Sequence, residues 1–162
     1  MIHPKYININ RILGAMTFLI SFIVYFDTMA PSVSYWDCGE FIAVSYTLGV
    51  PHPPGSPLFL LLGRIASMLP ISEDIAFRVN LLSPLASAFS VLFLYFIIVQ
   101  LVNHWRGKIE TNTDALIAFG AGVVGSLTFA FTDSHWFNAV EAEVYAFSTF
   151  FTAIVVWLAL LW

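Results

Sequence analysis

Charge is nearly missing from long stretches of this sequence, and that restricts the fold more than any motif does. Segments 12–30, 81–102, 114–131 and 144–162 are almost wholly apolar, and each is close to the ~20 residues that cross the hydrocarbon core of a bilayer. Only 10% of the residues are charged and 59% are hydrophobic, whereas soluble domains carry roughly a quarter charged residues. So few charges cannot cover a water-facing surface. In lipid, backbone polar groups must be satisfied within each segment, so the expected class is all-α: a polytopic transmembrane helical bundle with about four spans. The net charge of -4 argues against a nucleic-acid partner. A single cysteine, Cys38, excludes an internal disulfide and a Cys-rich metal site.

The first apolar run follows Lys5 and Arg11 and ends near Ala30, a weak echo of a signal peptide. It is long for a signal core and further spans follow, so it reads as a retained first transmembrane helix. The fourth run stops without a basic flank or a loop. We therefore expect residues 1–162 to be one transmembrane domain and the N-terminal part of a longer chain.

Basic residues set the expected orientation. Lys5 and Arg11 precede the first span, and Arg106 and Lys108 lie between the second and third, which puts both places in the cytoplasm. The loop 31–78 and the loop around 133–143 then face outward. They hold seven carboxylates (Asp37, Glu40, Glu73, Asp74, Asp133, Glu141 and Glu143) against two cations, Arg64 and Arg78. Segment 57–69 is apolar but reaches only about 20 Å at ~1.5 Å per residue, so it reads as a short interfacial helix opened by Ser56-Pro57 and closed by Pro70. Ser72-Glu73-Asp74 reads as the start of another helix, running to about His104 with a kink at Pro84. In the third span Ala118, Gly122 and Ser126 repeat every four residues, which allows close helix packing.

The chemistry-bearing residues lie in the outward loops. Asp37 and Glu40 have capping-box spacing. They also fit a second reading, in which a carboxylate at the membrane surface beside Trp36 is partly desolvated and becomes a stronger base. His52, inside "HPPGSP", is either a turn residue or a side chain aimed by rigid prolines. Arg64 and Arg78 can pair with Glu73, Asp74 or a lipid headgroup, or grip a phosphate with a guanidinium fork. His135, Glu141 and Glu143 crowd the second loop, where Trp136, Phe137 and Tyr145 fit an interfacial aromatic belt. The sequence has no His-x-x-x-His pair, which argues against a metal site.

Taken together, "WDCGEF", "LGVPHPPGSPLF", "FRVNLLS" and "WFNAVEAEVYAF" resemble a family of membrane glycosyltransferases of the GT-C class. That family was first described as a domain of unknown function and includes an animal O-mannosyltransferase acting on plexin-type receptors. The resemblance covers nearly the whole chain from the first span onward. It implies a bacterial member in the inner membrane, active on the outward side. A sugar, mannose in the animal members, would pass from a polyprenyl-phosphate donor to a protein Ser or Thr hydroxyl, with no cofactor. Asp37 would be the acidic residue of the first outward loop and act as base, with Glu40 in support. His52, Arg64, Arg78, His135, Glu141 and Glu143 would bind substrate. A transporter remains the first rival, although its ionisable groups belong near the midplane, where only Asp27 comes close. A non-catalytic membrane scaffold is the second.

Overall fold

The computed structural model describes residues 3–162. It contains eight helices and, among the described residues, no strand ladder. Four elements are long and apolar enough to cross a membrane. They are α1 (Pro4–Thr28), α5 (Leu82–Arg106), α6 (Asn112–Ala130) and α8 (Val144–Leu161). Four short helices complete the chain: α2 (Cys38–Thr47), α3 (Pro57–Met68), α4 (Ile75–Asn80) and α7 (Asp133–Ala139).

Helix α1 starts eight residues before the expected span 12–30, because Pro4 suits the first turn and the His3 side chain accepts the Lys5 N–H. Its 25 residues extend about 37 Å, which carries a polar turn beyond the hydrocarbon core. Near the kink expected at Pro84, the helix expected to run to about His104 is divided into α4 and α5. The helix is interrupted at Leu81, between α4 and α5, where Pro84 offers no N–H to the carbonyl four residues before it, that of Asn80. A capping box of Thr111 and Asp114 opens α6.

Antiparallel packing brings the helix ends together at two levels. At one end His3 N donates to the Ile109 carbonyl and Tyr6 Oη to Asn112 Oδ1. At the other, Tyr25 Oη donates to the Ala130 carbonyl and Ala30 N to the Val140 carbonyl. Helices α2, α3, α4 and α7 gather at this second end and form a cap. Between α5 and α6 the small residues make the contact: a methyl placed on Gly122 would sit 2.8 Å from both Tyr95 and Val99. Apolar side chains such as Ile12, Ile23, Leu116, Val124, Val155 and Leu158 point outward from the bundle, as a lipid-facing surface requires.

The cap has its own apolar centre, in which Phe41 and Ile42 of α2 meet Phe59 and Leu60 of α3 and Val79 of α4. Helices α2 and α3 approach so closely at Gly63 that a methyl there would lie 2.7 Å from the Ser45 Cβ. At 12 residues α3 is about 18 Å long, short of the ~30 Å core, in keeping with a helix that does not cross.

Candidate functional site

One side chain joins the separate segments of the cap. Asn80, fully buried at the end of α4, donates from Nδ2 to the carbonyls of Ala30 and Ser32, each at 2.9 Å. Its Oδ1 accepts the Ala142 N–H at 3.1 Å and faces the Cys38 thiol at 3.6 Å. Ser83 adds a second tie, because its hydroxyl accepts the Glu143 N–H. The segment before Asp37 and the segment bearing Glu141 and Glu143 are thus fixed to one amide. A buried carboxamide with three backbone partners is well satisfied. Sequence reading passed over Asn80, and the only signal for it was a polar residue within the apolar run "FRVNLLS".

Between these segments lies a cleft of about 230 Å³ lined by Asp37, Phe41, His52, Gly55, Ser56, Glu143 and Tyr145, among others. Trp36 enters α2 with φ 63, a left-handed conformation that is strained for a bulky residue. Asp37 then occupies the N-cap position but makes no side-chain cap bond, so the spacing that suggested a capping box does not form one. Glu40 faces the other way. Its Oε1 accepts the His52 N–H at 2.8 Å and its Oε2 lies 2.6 Å from His52 Nδ1. Each partner shifts the other: the imidazole holds the Glu40 carboxyl below its usual range, and that carboxylate holds His52 above its own. His52 Nε2 lies 4.0 Å from Asp37 Oδ2, so Asp37, His52 and Glu40 form a row.

Glu143 closes the opposite wall and is only 7% exposed. Burial, then the charges of Glu141 and Asp37, push its carboxyl up. Glu141 stands behind it, accepting the Ser34 hydroxyl on Oε2 while its buried Oε1 has no partner. Tyr145, counted with the aromatic belt on sequence grounds, lines the cleft.

The remaining expected site residues lie elsewhere. His135 is buried in α7, with its ring 4.2 Å from that of Phe129 and 6.0 Å from that of Tyr25. Its Nε2 lacks a partner, and burial pushes the imidazole down to about 4. Arg64 donates to the Tyr46 carbonyl at 2.6 Å and lies over the Tyr46 ring. Arg78 donates to the carbonyls of Ser67 and Leu69, which satisfies the end of α3, and to those of Glu73 and Asp74 just before α4. Among the described residues neither arginine forms an ion pair with a carboxylate, and neither lines the cleft.

Donor atoms of Asp37, Glu40 and His52 lie within 4.8 Å of one another, so the fold assembles a possible cation set that no local spacing announces. The bond from His52 Nδ1 to Glu40 Oε2 already uses one donor from each. That bond leaves His52 Nε2 on the Asp37 side, 4.0 Å from Oδ2.

The sequence model of a family described as the protein O-mannosyl-transferase TMEM260 N-terminal domain matches residues 37–162. The match starts at Asp37, where the cleft starts. The protein O-mannosyl-transferase tmem260 of Dictyostelium discoideum is 30% identical over 146 residues, covering 88% of this chain and 16% of that protein. The protein O-mannosyl-transferase TMEM260 of Mus musculus is 30% identical over 132 residues, covering 82% of this chain and 17% of that protein. The chain thus spans about a sixth of the length of these curated relatives. No solved structure gives a significant match.

Proposed function

This chain belongs to the protein O-mannosyl-transferase TMEM260 N-terminal domain family, and on that premise we propose that it carries the catalytic front of a GT-C-type membrane glycosyltransferase. The enzyme moves a sugar, mannose by analogy with the names of its relatives, from a polyprenyl-phosphate donor to a Ser or Thr hydroxyl of a protein. The cap lies on the non-cytoplasmic side, because Lys5, Arg11, Arg106 and Lys108 lie toward the other end of the spans. A lipid-linked donor presents its sugar at the membrane surface, the depth at which the cap sits on the helix ends.

Asp37 is the base. The observation that carries this role is a carboxylate on the cleft that makes no cap bond, beside a Glu40 that is committed to His52. The acceptor hydroxyl gives its proton to Asp37 as its oxygen bonds to the anomeric carbon. The bond from that carbon to the phosphate oxygen breaks, and the electron pair leaves with the phosphate. A phosphate leaving group needs no proton from an acid. A single displacement inverts the anomeric centre. Asn80 and the cap around it supply orientation, which can account for a large part of a transferase's barrier lowering.

Cells lacking the full-length gene, complemented with wild type or Asp37→Asn, test this reading. Wild type should restore a hexose-sized mass on acceptor proteins. Asp37→Asn should restore none at equal membrane abundance. If both restore it, Asp37 is not the base; if the wild type does not, the transferase reading fails.

A further inference from the structure

A donor phosphate brings negative charge that grows as the sugar departs, and a fixed positive group must meet it. The two outward arginines are the obvious candidates on sequence grounds, yet both are engaged away from the cleft by the backbone carbonyls of Tyr46, Ser67, Leu69 and Glu73. Among the residues lining the cleft, His52 is the one that can carry a positive charge. Glu40 grips it twice, through the backbone N–H and through Nδ1. With Nδ1 engaged, Nε2 is the nitrogen left on the Asp37 side, at 4.0 Å, beyond hydrogen-bond reach and open to a third group. Asp37 and Glu40 face the ring from α2, Glu143 faces it from the start of α8, and the Phe41 ring packs beside it at 5.8 Å. Three carboxylates around one imidazole favour its protonated form.

We propose that His52, clamped by Glu40, is the catalytic cation that binds the donor phosphate through Nε2–H. This rests on the transferase reading. His52 donates a hydrogen bond to a phosphate oxygen and keeps its proton, while the pair from the broken carbon–oxygen bond stays on the phosphate and Asp37 takes the hydroxyl proton. Glu40 is then a positioning residue for His52.

The test uses the full-length protein in nanodiscs, with a polyprenyl phosphate as the binding probe and with sugar transfer followed against pH. His52→Gln should weaken polyprenyl phosphate binding about 10- to 100-fold, the size expected for a charge-assisted hydrogen bond. Wild-type transfer should fall as pH rises through the raised imidazole value, and in His52→Lys that fall should move to higher pH. Unchanged binding in His52→Gln, or an unmoved alkaline limb in His52→Lys at normal protein level, overturns the proposal. So does a loss of binding in Arg78→Lys that His52→Gln does not share. If the wild type binds the phosphate in a His52-dependent way but transfers no sugar, the phosphate site stands and the transferase reading falls.

Discussion

Where α5 meets α6, carbon packs on carbon, with Gly122 against Tyr95 and Val99. Where the segments of the cap meet, one carboxamide serves Ala30, Ser32 and Ala142 and faces the thiol of Cys38. The first kind of contact is spread over many side chains, and each contributes little alone. The second is concentrated, because losing the centre leaves several buried groups without partners at once. The bundle is therefore robust and places the cap only coarsely. The cap is brittle and places its carboxylates finely.

Breaking the hub should give the largest effect. Asn80→Ala is expected to cost on the order of 4 kcal/mol, because buried carbonyls and an N–H lose their partners. Transfer should be lost while the spans stay inserted. Hydrogen exchange would show it as faster exchange in 30–56 with little change in the spans. Uniform acceleration across the molecule would mean that cap and bundle are one cooperative unit.

An acid titration probes the seam between the two regions. His135 is held down to about 4 in the folded protein against 6.5 as a free side chain. Between those values the unfolded chain binds more protons than the folded one. Stability is therefore full above 6.5, falls as pH drops, and levels off below about 4. The loss amounts to about 3 kcal/mol. His135→Leu should remove this acid sensitivity while transfer near pH 7 persists. Thermal unfolding of both forms at pH values spanning that range would show it, and parallel curves would contradict the burial argument.

The smallest effect should come from the bundle itself. Gly122→Ala forces a methyl against Tyr95 and Val99 and should cost about 2 kcal/mol of overpacking. Transfer should survive it, since Gly122 lies at the middle of α6, two turns from the residues that meet the cap. A loss of transfer equal to that of Asn80→Ala would erase the distinction between the two regions.

The same contrast explains what the sequence disclosed. Apolar length is a local property, so the spans 114–131 and 144–162 came within two residues of Asn112–Ala130 and Val144–Leu161, and 57–69 matched Pro57–Met68 to within one. Asn112 at the start of α6 and Pro4 at the start of α1 lie in polar turns that a hydrophobic window does not see. Seven residues are too few to show a helical period, so α7 gave no signal. Both acidic clusters were visible, but not their partners. The pattern Asp-x-x-Glu is the same whether Glu40 caps a helix or grips a histidine twelve residues on. Asn80 joins groups 42 to 62 residues away, and no local pattern encodes that.

The single amide at Asn80 also acts as a gauge. Two loops anchored separately would set the gap between Asp37 and Glu143 by the sum of their tolerances, and the gap would wander as each loop moved. Anchored through one planar group, the two walls share a reference whose own width is covalently fixed, so only the hydrogen bonds of 2.9 and 3.1 Å and the few residues beyond them add tolerance. A shift of one wall is thereby passed to the other, which makes the width of the gap a property of the pair rather than of either loop.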